Sequence, residues 1–263
     1  MKKRVVTLLI LVLGFSLLYI GLDFFQLTAY VQKARLTKLL SFLIVILLIV
    51  PPTIVFQTIV NSRYLSPSII GMDAVYVLIQ SLIYFMGYHY LSQLMNHSLI
   101  LFLIQIGLML SICYLSLYLA KINWLSTVNE SIWLMIGMIF GTVLRNLSTF
   151  FQVLMDPNEY LALQSRLFAS FQSVSKELLG IAFIIAILSN AYFFYKRYLL
   201  DVYHLGKTTA LTLGVDIQKE TKRLLLLIVL MLGTATAFVG PLTFLGFMVA
   251  NITYYLTPKH HHL

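Results

Sequence analysis

Eight apolar stretches, each near the length that crosses a bilayer, dominate this sequence. They fall at about 5–22, 39–61, 71–88, 98–120, 131–155, 176–195, 223–239 and 241–257. A hydrocarbon core about 30 Å thick takes a helix of about 20 apolar residues, and irregular backbone exposed to lipid is excluded because its polar groups would go unbonded. The chain therefore reads as an all-α integral membrane protein, a multi-span helical bundle forming one domain over 1–263. Composition agrees. Charged residues make up 10% of the chain and hydrophobic residues 60%, whereas soluble domains carry about a quarter charged residues.

The N-terminus opens like a signal peptide, with Lys2, Lys3 and Arg4 before an apolar run. No small-x-small cleavage site follows, and the run ends in Gly21-Leu22-Asp23-Phe24-Phe25, so it is read as a retained first helix. The second stretch contains Pro51-Pro52. Two missing backbone donors are expected to kink it, and protein or water must then satisfy the freed carbonyls.

Orientation follows from Lys and Arg, which accumulate on the cytoplasmic side. With a cytoplasmic N-terminus, twelve of the eighteen lie inside: Lys2, Lys3, Arg4, Arg63, Lys121, Lys196, Arg197, Lys207, Lys219, Lys222, Arg223 and Lys259. Lys33, Arg35, Lys38, Arg166 and Lys176 lie outside, and Arg145 lies within a span. The net charge of +9 is thus a topology signal rather than a nucleic-acid footprint. The longest inner segment is 196–222. The longest outer one, 156–175, is expected to be partly helical.

Few residues offer chemistry. Cys113 sits in an apolar run and reads as a small buried hydrophobe, no Cys/His spacing suits a metal, and the three histidines near the end read as a solvated loop. No catalytic residue is assigned. Gly206-Lys207-Thr208 looks like the tail of a phosphate-binding loop, but Asp201 stands where the loop needs its first glycine, and no strand precedes it. The plainer reading is a short helix started by Asp201 and ended by Gly214, with Leu205, Thr208, Thr209 and Thr212 on one face.

That helix has a familiar setting. Leu205-Gly206, Ala210 and Leu213-Gly214-Val215 precede a basic-apolar helix and then Gly240-Pro241, Phe244 and Gly246. Nearer the front stand Arg35, Leu36, Gln57, Asn61, Pro67 and Gly71. Over essentially its whole length the chain resembles the FecCD family of ABC transporter permeases, which import iron–siderophores, haem and cobalamin, and it is most similar to the iron-siderophore branch. It departs in Thr37 for a proline, Lys38 for a second arginine, and Pro51-Pro52 where small residues are usual. The family has nine or ten spans, so the resemblance implies that helices after His262-Leu263 are missing.

The resemblance implies that Asp201, Leu205, Gly206, Lys207, Thr208, Thr209, Ala210, Leu213, Gly214 and Val215 form a coupling helix on a partner ATPase. Two such ATPases would hold ATP and magnesium, so this chain carries no cofactor and hydrolyses nothing itself. Arg35 and Lys38 would meet an extracellular or periplasmic substrate-binding protein. A second permease copy, or a paralogue, would complete a path for a ferric chelate across the bacterial plasma (inner) membrane. Arg145, Gln57 and Asn61 are placed along that path, and Asn129, Glu130 and Ser131 at an inner gate. Pro67, Gly71, Gly240, Pro241, Phe244 and Gly246 are read as structural. For Arg145 the bonding of helix-end carbonyls stays open, and for Arg35 and Lys38 simple interfacial anchoring does.

Two other classes compete. An ion-coupled secondary transporter calls for acids at mid-membrane, but Asp23, Asp73, Glu130, Asp156 and Glu177 all fall at or near span ends. An intramembrane enzyme calls for a paired constellation that this sequence lacks. Within the importer reading, haem or cobalamin is the alternative cargo.

Overall fold

A computed structural model describes residues 2–21, 29–86, 98–124, 130–171, 176–204 and 207–256. Every regular element among them is helical: α1 (Lys2–Gly21), α2 (Ala29–Val60), a 3₁₀ turn (Pro67–Ile70), α3 (Met72–Phe85), α4 (Ser98–Trp124), α5 (Glu130–Val153), α6 (Pro157–Leu167), α7 (Lys176–Tyr195), α8 (Arg197–His204), α9 (Lys207–Thr212), α10 (Ile217–Val239) and α11 (Leu245–Leu256).

The eight expected spans correspond to α1, α2, α3, α4, α5, α7, α10 and α11. Four of these are long and apolar enough to cross a membrane among the described residues, within α2, α5, α7 and α10. α2 and α10 are central, with 50% and 61% of their span residues buried, against 17% for α5 and 28% for α7. Leu48 and Phe56 of α2 and Ile228 and Met231 of α10 are fully enclosed, which makes this pair the core around which α3, α4, α7 and α11 pack. α5 is peripheral to the pair, so much of its surface is left without a partner in this chain.

α2 corrects one expectation and bears on a second. It starts ten residues before the apolar stretch does, so Lys33, Arg35 and Lys38 ride on helix rather than loop. It also runs unbroken through Pro51 and Pro52. The bond that Pro51 cannot donate would have gone to the Leu47 carbonyl. That carbonyl instead accepts the side-chain amide of Asn190 on α7, at 3.0 Å. Removing the amide should cost about 1 kcal/mol. Asn190→Ala is therefore expected to lower the thermal midpoint of the purified protein by a few degrees, and an unchanged midpoint would mean that Leu47 finds another donor.

α3 and α11 are the other correction. The 14 residues of α3 make about 21 Å, too short for the hydrocarbon core, and the 12 described residues of α11 make about 18 Å. Both start deep in the bundle. Gly71, just before α3, has φ +90° and lies against Gly141, midway along α5; a Cβ built on Gly71 would stand 2.7 Å from the Gly141 Cα. Gly246, at the start of α11, lies against Ile49 and Thr53 of α2. The window 241–257 looked like a full span because Pro241, Leu242 and Phe244 are apolar, and the window 71–88 because it stays apolar past the end of α3 at Phe85.

Irregular backbone at this depth survives only where protein satisfies it. Here the two irregular segments satisfy each other. The hydroxyls of Ser66 and Ser68 both donate to the Thr243 carbonyl, at 3.3 and 3.2 Å. Asp73, two residues past Gly71, is then an acid at mid-depth, 8% exposed. It does stand at a helix end, as the sequence implies, but that end is inside the bundle.

Candidate functional site

Three surfaces hold the residues singled out in the sequence. The first is the segment after α7. Asp201 lies inside α8, which begins at Arg197, and so does not start the helix as expected. Leu200 and Tyr203, three apart, give α8 a buried apolar stripe, and that stripe carries the helix upstream of Asp201. The Tyr203 hydroxyl lies 3.1 Å from the Ile217 carbonyl, to which it donates, and 2.8 Å from the Thr221 hydroxyl, fastening α8 to the start of α10. Lys196 and Arg223 both pair with Glu220, at 3.1 and 3.0 Å.

After α8 the chain turns into α9. Leu205 and Gly206 lie outside the described residues; Lys207 and Thr208 open α9. The expected shared face is not the buried one. Ala210 is fully enclosed, Thr209 is half-buried, and Thr212 is exposed. Gly214 ends the helix as expected: its φ is +78°, its amide donates to Leu211, and the Val215 amide donates back to Ala210. Asp216 then caps α10 by accepting from the Lys219 amide at 3.1 Å. A hydrogen bond from the Lys219 side chain holds its carboxyl below the usual range. Residues 217–222, the last of the expected inner segment, already belong to α10.

This arrangement leaves Leu211 and Leu213 standing out, 61% and 62% exposed, beside a Gly214 with open space around it. Two apolar side chains on a fastened, capped platform form a surface that a groove on another protein can cover. The sequence reading missed Leu211, which carries no contrast in a chain this apolar.

The second surface is α5. Thr142, Arg145, Asn146 and Thr149 are all exposed, and their three- and four-residue spacing puts them on one face. Met135 and Met138 extend that stripe. The Thr142 and Thr149 hydroxyls donate back to the Met138 and Arg145 carbonyls, at 2.8 and 3.0 Å. The Arg145 guanidinium has no hydrogen-bond or ion-pair partner among the described residues. It lies one turn beyond Gly141, near mid-depth. A bare arginine there cannot face lipid, so water or a second protein surface must lie against this face. The flank beside this stripe, with Ile139, Val143 and Phe150, is apolar and exposed and suits lipid.

The two polar residues grouped with Arg145 are elsewhere. Gln57 is 2% exposed, and its amide donates to the carbonyls of Arg63 and Leu65, at 3.0 and 3.4 Å. Asn61 takes φ +52° at the end of α2, where its amide and that of Ser62 return to Thr58 and Gln57. Both have the geometry of a helix stop and turn, with Asn61 exposed and the Gln57 Oε1 buried without a hydrogen-bond partner among the described residues. Asn129 lies outside the described residues, and Glu130 and Ser131 are the first residues of α5. Pro67 opens the 3₁₀ turn, Gly240 ends α10 with φ +104°, Pro241 follows it, and Phe244 is 67% exposed.

The third surface is the start of α2. The Arg35 guanidinium donates to the Tyr19 carbonyl at 3.2 Å and lies 5.6 Å from the Tyr19 ring centre, which ties it to α1. Lys38 is half-buried one turn on. One turn further, Phe42 stacks on Phe171, 4.1 Å between ring centres. Arg35 and Lys38 therefore sit near the α6–α7 connection, at the opposite end of α7 from α8.

The sequence pattern of the FecCD transport family matches residues 5–263. The petrobactin import system permease protein YclO of Bacillus subtilis (strain 168) is 36% identical over 259 residues, which is 96% of this chain and 81% of that protein. The petrobactin import system permease protein FatC of Bacillus anthracis is 32% identical over 237 residues, 88% of this chain and 65% of that protein. A solved ABC transporter of metal-chelate type, in an inward-facing conformation, superposes with a TM-score of 0.78 over 99% of this chain and 83% of that one; at 19% identity this likeness shows the fold.

Proposed function

We propose, from the premise that this chain belongs to the FecCD transport family, that it is the membrane-spanning subunit of an ATP-driven importer for a ferric siderophore. The observation that carries the transport path is Arg145. An unpartnered guanidinium at mid-depth, in an exposed stripe with Thr142, Asn146 and Thr149, is what a water-filled route for an anionic complex requires. A second permease, the same or a paralogue, would close that route over α5. The relatives named for petrobactin import favour a cargo of that kind.

The remaining parts follow the ends of the bundle. Two ATPase subunits, which hold ATP and magnesium, would dock on α8 and α9 at the cytoplasmic end. A binding protein would deliver cargo near Arg35 and Lys38, where opposite charges steer docking more than they add affinity. The N-terminus is then cytoplasmic, in the plasma membrane of a bacterium.

The test is uptake of a radiolabelled ferric siderophore in a deletion strain carrying the chain with its binding protein and ATPase. Arg145→Gln is expected to reduce uptake about tenfold, equivalent to about 1.4 kcal/mol of lost interaction. Its amount in the membrane should change little, because the side chain makes no hydrogen bond or ion pair among the described residues. Full uptake by this variant would remove Arg145 from the path.

A further inference from the structure

The break before α3 borders a polar cavity. It measures about 20 Å³, room for one water-sized occupant. Asp73 borders it, and its Oδ2 is buried with no hydrogen-bond partner. Besides Thr243, four hydroxyl residues line the same space: Thr53, Ser66, Ser68 and Thr236. Each already spends its proton on a backbone carbonyl. Thr53 donates to Ile49 at 2.6 Å, Ser66 and Ser68 to Thr243, and Thr236 to Leu232 at 2.9 Å. A hydroxyl has one proton and two lone pairs, so Thr53, Ser66 and Thr236 have only lone pairs left to offer. The Thr243 and Ser68 side chains are the donors within reach of the carboxylate, and Oδ2 takes no hydrogen bond from either.

The charge balance is equally one-sided. The start of α3 supplies about half a positive charge to Asp73. Arg145 acts on the carboxylate through space, but no ion pair within 4.0 Å joins them among the described residues. A carboxylate at this depth is costly unless balanced. A lone water would satisfy Oδ2 without supplying charge.

We infer that this cavity binds one monovalent cation of about sodium size. Asp73 Oδ2 supplies the charge, and the oxygens of Ser66, Ser68 and Thr53 complete the shell. All the ligands are oxygens, which suits a hard cation, and a single carboxylate suits a single positive charge. The ion joins the irregular segment before α3 to the one before α11. It is a structural ion, and the inference does not depend on what the protein transports.

The test uses the purified full chain in detergent, unfolded by heat in sodium, potassium or N-methylglucamine chloride at equal ionic strength. The midpoint is expected to rise with the logarithm of sodium concentration above the dissociation constant, by about 5 °C at a hundred times that constant. The sodium NMR line should broaden in proportion to protein. Asp73→Asn should abolish both effects, and Ser68→Ala should move the sodium response to higher concentration. Equal midpoints in the three salts without line broadening would overturn the inference, leaving Asp73 protonated or bonded to water alone. A sodium response that survives Asp73→Asn would overturn it as well. Should Asp73→Asn fail to fold, a sodium dependence unchanged in Ser68→Ala overturns it.

Discussion

Glutamate at both Leu211 and Leu213 is expected to cut siderophore uptake about a hundredfold, from two apolar anchors worth roughly 1.4 kcal/mol each. The fold should survive, because both side chains are more than half exposed and the platform beneath is held elsewhere. Ala210 stays enclosed, Tyr203 stays on Ile217 and Thr221, and Gly214 still ends the helix. The loss should appear first as failure of the ATPase to copurify with the membrane subunit. Uptake and copurification at wild-type levels would place the ATPase contact elsewhere. The comparison control is Lys219→Ala, which removes the 2.9 Å ion pair with Asp216. That pair is solvent-exposed and worth little, so transport should barely change.

Valine at Gly71 is expected to destabilise the protein by about 2–5 kcal/mol. Its φ of +90° is costly for any residue with a Cβ, by about 1–2 kcal/mol. The overlap with the Gly141 backbone adds about 1–3 kcal/mol, because backbone cannot rotate away as a side chain can. Gly214→Ala separates the two causes. Its φ of +78° is similar, but a Cβ there meets nothing within 4 Å, so only the conformational part, about 1–2 kcal/mol, should appear. Thermal unfolding of both variants measures the difference. Equal losses would mean that α3 and α5 give way at their crossing.

How much of this was legible depended on contrast and on distance along the chain. α2, α5, α7 and α10 showed in the sequence because their apolar lengths match a bilayer. Arg145 showed because a charge in such a stretch is rare. Gly214 showed because a glycine at the end of a short polar helix has few other uses. α3 passed for a whole span because the stretch 71–88 stays apolar past Phe85, and α11 because Pro241 and Leu242 are as apolar as helix residues; apolarity does not say where a helix begins or ends. Gln57 and Asn61 looked like path residues because polar side chains near a span end serve turns and pathways alike. Asn190 gave no sign of its partner, since Leu47 lies 143 residues away. Leu211 was invisible for the opposite reason: it differs from its neighbours in exposure, not in type.

The shared carbonyl of Thr243 sets an order of assembly. Ser66 and Ser68 come off the ribosome 177 and 175 residues before it. At about 5–20 residues per second, the first irregular segment waits roughly 10–35 s for the group that accepts its two hydroxyls. During that interval its polar atoms are already at membrane depth, with α11 not yet made. The insertion machinery, or water held within it, must shelter the gap, and a ribosome that stalls before Thr243 leaves behind an inserted chain with an open seam.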